Sequence, residues 1–227
     1  MQMQHKIKFG RWESIALILN LICTKIFLYF NRLTVEDAGT AGWLMTVFTC
    51  AVTLLAYSLL IWMYKKFEGK DILDIAGIAG GKILKAITGF ALGGVLVVLA
   101  ALTMREYSED IKIISLPTSP LSYVMFFFIA GMVTASYLGV ESIVRHNAII
   151  TPIIAAGYVL ILLGAIPRAD LTNLMPILGT GLKDIVLKGL YRTSIFVELI
   201  VLFMLPPFLG SYKEVRSVGF ISIGLSS

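Results

Sequence analysis

Six long apolar runs constrain the fold of this chain more than any other feature of its sequence. They cover residues 14–30, 43–64, 84–104, 122–138, 149–166 and 194–209. A helix needs about twenty apolar residues to cross the hydrocarbon core of a bilayer, and each run reaches or approaches that length. The sequence therefore predicts a multi-pass, all-α membrane protein with about six transmembrane helices, rather than a soluble enzyme.

The amino-acid composition supports a membrane environment. Charged residues make up 15% of the chain, against about 25% in soluble domains, which is too few to cover a water-facing surface. The net charge of +5 comes from short basic clusters between the apolar runs, which argues against nucleic-acid binding. Cys23 and Cys50 lie inside apolar runs, so we expect small core residues rather than a disulfide. The chain contains no motif of metal-binding or nucleophilic catalysis, so we expect no cofactor and no enzymatic activity.

The basic residues between the runs predict the orientation, because cytoplasmic loops are enriched in Lys and Arg. With the N-terminus inside, eleven fall on the inner face: Lys6, Lys8, Arg11, Lys65, Lys66, Lys70, Lys82, Lys85, Arg145, Lys213 and Arg216. Seven fall on the outer face: Arg32, Arg105, Lys112, Arg168, Lys183, Lys188 and Arg192. This difference predicts a cytoplasmic N-terminus.

Two segments outside the runs carry their own patterns. Residues 77–81 are glycine-rich but lack the strand and the Lys-Ser/Thr pair of a phosphate-binding loop, so they predict a turn at the membrane surface. Residues 183–190 alternate charged and apolar residues at helical spacing, which predicts an amphipathic helix on the outer surface. That helix either caps the bundle or covers helix ends.

Two ionisable residues, Lys25 and Glu198, lie well inside apolar runs. Burial of such charges costs several kcal/mol unless they are paired, neutralised or hydrated, so they tend to face a bundle interior or a water-filled cavity. Lys25 could instead extend its side chain to the membrane surface, and Glu198 could be protonated and bridge two helices. A Lys25–Glu198 ion pair is a further hypothesis. The charged residues 105–110 after the third run read as a solvated helix end or as a gate contact at the outer mouth.

Several segments together resemble one family of membrane proteins. They are YKKFEGKDIL at 64–73, REYSE at 105–109 with LPTSP at 116–120, NLMPILGTGL at 173–182, and Glu198 followed by Leu205-Pro206. In this order and spacing the chain is similar to the B subunit of spore germinant receptors, a family of the amino acid–polyamine–organocation transporter superfamily. The similarity extends from about residue 9 to residue 220.

The resemblance implies a LeuT-type fold, built from two inverted repeats of five helices. On this chain it places the first repeat at about 9–166, an outer loop with the amphipathic helix at 167–192, a sixth helix at about 193–210 and the start of a seventh from about 218, in a single transmembrane domain of residues 1–227. The chain then looks C-terminally truncated, as about the first six-tenths of that fold.

In this fold the ligand site lies where the first and sixth helices are broken, since unpaired backbone groups there can hold a carboxylate and an ammonium. The resemblance therefore implies ligand-binding residues on the first, third and sixth helices: Asn20, Cys23, Thr24, Lys25, Val98, Leu99, Leu102, Ser194, Phe196, Val197 and Glu198. Two departures from the family's pattern are Thr24-Lys25-Ile26 in place of its first-helix glycines, and Val197 in place of a small residue before the acid.

The implied function is sensing of a small nutrient, such as an amino acid, that triggers spore germination. The implied partners are the A- and C-type receptor subunits and the lipid bilayer, and the implied location is the spore inner membrane. An amino acid permease is one alternative. A non-binding scaffold, or a remnant of such a protein, is another.

Overall fold

The structure, a computed structural model, describes residues 9–168, 170–209 and 211–226, and within them every regular element is helical. Lys6 and Lys8, which entered the orientation prediction, lie outside these residues. The α-helices are α1 (Arg11–Lys25), α2 (Asn31–Ala38), α3 (Gly42–Tyr64), α4 (Ile72–Ile114), α5 (Leu121–Leu138), α6 (Val140–Ala165), α7 (Leu182–Arg192), α8 (Leu199–Leu202) and α9 (Tyr212–Ser226).

Four helical stretches of the described chain are long and apolar enough to cross a membrane. They are Asn31–Phe67, Ile72–Ile114, Leu121–Leu138 and Val140–Ala165, and they contain the second to fifth predicted runs. The prediction of an all-α protein with several membrane spans is thus confirmed for this part. The helix of the third run extends beyond it at both ends, and the helix of the fifth run begins at Val140, before that run, because flanking residues with polar side chains continue the helical turn.

The first predicted run is helical but not uniformly α-helical. After α1, residues Ile26–Phe30 form a π-helix, which leads directly into α2. Such stretches hold one extra residue per turn and occur mostly as local bulges at functional sites. The irregular segment begins at the residue after Lys25.

The sixth apolar run, 194–209, does not form one continuous helix. The segment is a 3₁₀-helix (Thr193–Phe196), a single α-helical turn (α8) and then turns as far as Leu209. Pro206 and Pro207 offer no backbone N–H, so a helix cannot continue through them without losing hydrogen bonds.

The seventh helix begins earlier than predicted, at Tyr212 rather than at about residue 218. Ser211 precedes it, and the backbone N–H of Glu214 donates to the Ser211 Oγ at 3.4 Å. Ser211 and Glu214 stand at the spacing of a capping box, which is a sequence signal for a helix start.

The glycine-rich segment 77–81 contains a turn that is confined to two residues, and its place at the membrane surface stays a prediction. Gly80 and Gly81 have non-helical backbone angles inside α4, and the φ of Gly81 is +69°. Only glycine adopts this region without steric cost, so the glycines allow α4 to change direction after its first two turns.

The core surrounds α1, which packs against α6 and α9. Its fully buried side chains include Ile18 and Ile22 of α1, Leu202 of α8, and Val218 and Ile223 of α9. Helices α4 and α5 pack mainly on each other and expose large apolar side chains, such as Phe90 at 85%. A helix surface of that kind suits contact with lipid.

Candidate functional site: a buried ion pair between two irregular segments

Lys25 and Glu198 form an ion pair inside the bundle. Their side chains are 7% and 8% exposed, so Lys25 does not extend to the membrane surface. The Lys25 Nζ contacts the Glu198 Oε1, which confirms the pairing hypothesis for the structure. The attraction between the two charges offsets part of the free-energy cost of burying them, and removing either would leave an uncompensated charge in the core.

Both segments that carry the pair have irregular backbone next to it. Lys25 is the last residue of α1 before the π-helix, and Glu198 lies between the 3₁₀-helix Thr193–Phe196 and α8. Backbone groups in such segments are less completely paired than in an α-helix. The ion pair therefore joins the two places where this bundle departs from regular helix.

The pair leaves one polar atom without a partner. The Glu198 Oε2 is buried and accepts no hydrogen bond from any residue that the structure describes. Most buried polar atoms in proteins are hydrogen-bonded, so an exception of this kind needs an explanation. The Glu198 Oε2 can therefore accept a hydrogen bond from a further donor.

Glu106 of α4, just after the third run, interacts electrostatically with Lys25. It is half-buried, and it belongs to the charged segment read as a helix end or a gate contact. Helix α4 thus approaches the pair through an acidic residue that follows its apolar run. The apolar residues predicted for the site lie further back along the helix.

A cavity of about 430 Å³, which we call the central cavity, is lined by Cys23, Ile26 and Phe196, each within two residues of Lys25 or Glu198 in the chain. Lys25 and Glu198 themselves do not line it. It is bounded by α1, the π-helix, α6, the Thr193–Phe196 segment and the end of α9. Three of the predicted site residues line it: Asn20, Cys23 and Phe196. Thr24 does not line it, and its hydroxyl donates to the Asn20 carbonyl at 2.6 Å, one turn back along α1.

Polar contacts hold the wall of the central cavity together. The Asn20 side-chain amide donates to the Asn147 Oδ1 at 2.7 Å and to the Thr151 Oγ1 at 2.9 Å. Both acceptors lie on α6, so the contacts fix α1 against α6 at this level. Asn147 and Thr151 were not among the predicted site residues, although their spacing of four in a largely apolar helix places them on one face.

A second cavity, of about 860 Å³, lies between α3, the Thr193–Phe203 region and the beginning of α4. We call it the lateral groove, since Leu60, Met63 and Tyr191 in its wall are at least half exposed. Three predicted site residues line it: Ser194, Phe196 and Val197. Phe196 is the one predicted residue shared by both cavities.

Val98, Leu99 and Leu102 of α4 line neither cavity of the described chain. Val98 is 58% exposed and Leu102 56% exposed. Helix α4 packs on α5 and touches the central bundle mainly at the π-helix, which leaves this apolar face uncovered. The structure does not bring these three residues together with the others, and their role in binding stays a prediction.

The segment between α6 and the Glu198 region packs against the α2–α3 junction. The predicted amphipathic helix is present as α7, with Ile185 buried against Ala38, Ala41 and Met45. An ion pair of 2.6 Å joins Arg192 at its end to Asp37. Because the Glu198 segment follows directly after Arg192, this anchoring helps to position the ion pair.

The loop itself offers little for metal binding. The described residues contain no group of three or more His, Cys, Asp or Glu side chains that could hold a metal ion. Asp170 accepts hydrogen bonds from the side chain and the backbone of Thr172, which hold the pKa of its carboxyl below the usual value.

The sequence is similar to proteins of spore germination. The chain matches the family described as Spore germination protein over residues 11–227. Among curated relatives, Spore germination protein B2 of Bacillus subtilis (strain 168) is 21% identical over 224 residues, which cover 99% of this chain and 60% of the relative. Spore germination protein A2 of the same organism is 22% identical, covering 97% of this chain and 61% of the relative.

A third relative, Spore germination protein KB of Bacillus subtilis (strain 168), is 22% identical over 83% of this chain and 52% of its own length. The chain thus spans about half to three-fifths of the curated relatives that it matches. No solved structure matches it. From the family match over almost its whole length, the chain belongs to the spore germination protein family of membrane proteins.

Proposed function

We propose that this chain is a membrane subunit of a spore germinant receptor and that it senses a small nutrient, such as a free amino acid, at the Lys25–Glu198 site. The observation that carries the proposal is the buried ion pair between two irregular helical segments that also line the central cavity, with a Glu198 Oε2 that accepts no hydrogen bond from the described residues. Family membership supports the receptor role.

The chemistry of the site suits a ligand that carries both charges. An amino acid presents an ammonium donor and a carboxylate acceptor, while the site holds a carboxylate and an ammonium in contact. Such a ligand can exchange charge partners with the pair and leave no buried charge uncompensated. The central cavity adds the Asn20 amide and the aromatic ring of Phe196 to its wall.

Exchange of partners also offers a route to a signal. The pair joins α1 to the segment that follows α7, so a ligand that separates Lys25 from Glu198 would release the two segments from each other. A ligand shifts a conformational equilibrium only by its difference in affinity for the two states. Here that difference would come from the charges that the ligand satisfies in the separated state.

The proposal includes the finer features implied by the resemblance. These are a LeuT-type arrangement of the spans, a cytoplasmic N-terminus, residence in the spore inner membrane and assembly with A- and C-type subunits. The π-helix after Lys25 and the broken sixth segment support the arrangement, since ligands in that fold bind at discontinuous helices.

Ligand-dependent stabilisation of the purified chain tests binding directly. Each amino acid is added in turn, and the ligand is expected to raise Tm, since binding to the native state alone contributes about 2.7 kcal/mol at 100 times Kd. Phe196→Trp should abolish the increase over its own ligand-free Tm, whereas Phe90→Trp, on the exposed face of α4, should retain it. Absence of any amino-acid effect, or an effect that survives Phe196→Trp, would contradict binding at this site.

Two further assays separate a receptor from a permease. The receptor role predicts that spores carrying the chain with its partner subunits lose optical density on exposure to the amino acid that raised Tm, and that Phe196→Trp reduces this response. It also predicts no accumulation of the labelled amino acid in proteoliposomes. Uptake that depends on Phe196 without a germination response would favour a permease instead.

A further inference from the structure

The lateral groove has a wall that suits hydrocarbon rather than a polar nutrient. Six hydroxyl groups line the groove, and four of them already have acceptors. Thr53 Oγ1 donates to the Thr49 carbonyl, Tyr57 OH to the Val215 carbonyl, Tyr64 OH to the Lys70 carbonyl and Thr193 Oγ1 to the Leu190 carbonyl, at 2.6–2.9 Å. An occupant would therefore meet mainly aliphatic and aromatic surface.

The groove has the length of one leaflet. Its lining on α3 extends from Val52 to Tyr64, which is about 18 Å at 1.5 Å per residue. One leaflet accounts for about 15 Å of the roughly 30 Å hydrocarbon core. A single acyl chain along α3 would fit this depth.

A basic cluster lies at one end of the groove. Phe67 and Ile72 line that end, and Lys65, Lys66 and Lys70 stand beside them in the chain. All three lysines are exposed, and none forms an ion pair with the residues that the structure describes. They are available to a ligand from outside the chain.

The neighbouring carboxylates are engaged elsewhere. The Glu68 Oε1 accepts from the Tyr212 backbone N–H at 2.9 Å, the Asp71 Oδ1 accepts from the Asp74 backbone N–H at 2.6 Å, and Asp74 pairs with Lys85 at 2.7 Å. Since none of these carboxylates forms an ion pair with the three lysines in the described part of the chain, the lysines present positive charge at the mouth of an apolar groove. Anionic lipid headgroups are bound by basic clusters of this kind at the ends of transmembrane helices.

We propose that the lateral groove and the Lys65–Lys66–Lys70 cluster together bind one anionic phospholipid, with its phosphate on the lysines and an acyl chain along α3. Lys25 and Glu198 do not line the groove, although it shares Phe196 with the central cavity, and lipid binding here does not depend on the proposed function. The charge at the mouth favours a lipid over an apolar protein helix, because a helix would leave the three lysines without a partner.

Native mass spectrometry of the full chain, purified with phosphatidylglycerol or with phosphatidylcholine, measures how much lipid it retains. We expect preferential retention of phosphatidylglycerol, and a fall of about 10-fold in that preference for Lys65→Gln/Lys66→Gln, since lysines near an anionic surface contribute to lipid binding. The control Lys112→Gln/Lys183→Gln removes the same charge at two lysines that are also in no ion pair and should leave the preference unchanged.

A second matched pair of variants tests whether the groove binds an acyl chain. Ala56 lines the groove, whereas Ala51, also exposed on α3, does not. Ala56→Phe should reduce retention of both lipids, and Ala51→Phe should not. Unchanged retention in Ala56→Phe, or an unchanged preference in Lys65→Gln/Lys66→Gln, would overturn the proposal.

Two other results identify a different occupant. Displacement by glycerol phosphate as effective as by intact lipid would indicate a phosphate site without an acyl chain. Crosslinking of Ala56→Cys to a membrane helix of another protein in native membranes would place a helix in the groove. Either result would overturn the lipid proposal.

Discussion

Breaking the Lys25–Glu198 pair should destabilise the chain more than removing it altogether. Both side chains are more than nine-tenths buried. Lys25→Met leaves the Glu198 carboxylate in the core without its counter-charge, and loss of one partner of a buried pair costs about 3–5 kcal/mol. In Lys25→Met/Glu198→Met both charges and the unpartnered Oε2 are gone, so the double variant should recover most of the stability.

Thermal unfolding in detergent, followed by the fraction of monodisperse protein, measures both effects. For a chain of this size, about 3–5 kcal/mol corresponds to a fall in Tm of roughly 6–20 °C. The coupling between the two substitutions should exceed about 0.5 kcal/mol, as expected for residues in direct contact. A double variant whose loss equals the sum of the two single losses would refute the reasoning, because the two groups would then be energetically independent.

Two further predictions concern helix contacts. Gly219→Ala should destabilise the chain by about 1–3 kcal/mol, since its Cβ would lie 2.1 Å from the Tyr57 ring. Gly224→Ala on the same helix has open space around its Cβ and should be neutral, and thermal unfolding compares the two variants. Asn20→Ala should cost about 1–3 kcal/mol because it removes both hydrogen bonds between α1 and α6. Thr134→Ala, which removes a bond only within exposed α5, should change Tm little, and an equal loss in the two variants would contradict a specific role for the α1–α6 contact.

Local sequence patterns predicted much of the helical content. The second and fourth apolar runs match α3 and α5 to within a residue at each end, because apolar length and flanking polar residues set those boundaries. The amphipathic helix near residues 183–190 followed from the spacing of its charges. Ser211 and Glu214 are also a local signal for the start of α9, but the predicted start, at about residue 218, is too late.

The candidate site was only partly predictable. Asn20, Cys23 and Phe196 do line the central cavity, and their positions followed from a resemblance rather than from any pattern in the chain. Asn147 and Thr151 of α6 were not predicted as site residues, since their role is evident only when Asn20 lies opposite them in the fold. Val98 and Leu102 were assigned from the same resemblance, and their outward placement depends on how α4 packs.

The sequence by itself determined that the protein is a helical membrane protein, and it identified the charged residues that are energetically costly to bury. Apolar runs with so few charges must be helices in a membrane, because the bilayer leaves no other partner for backbone polar groups. The same energetics marked Lys25 and Glu198 as residues that need a partner. Only the tertiary structure decided that they are each other's partner, that Phe196 separates two cavities, and that a basic cluster meets an apolar groove. These are contacts between segments far apart in the chain, and packing geometry rather than local composition determines them.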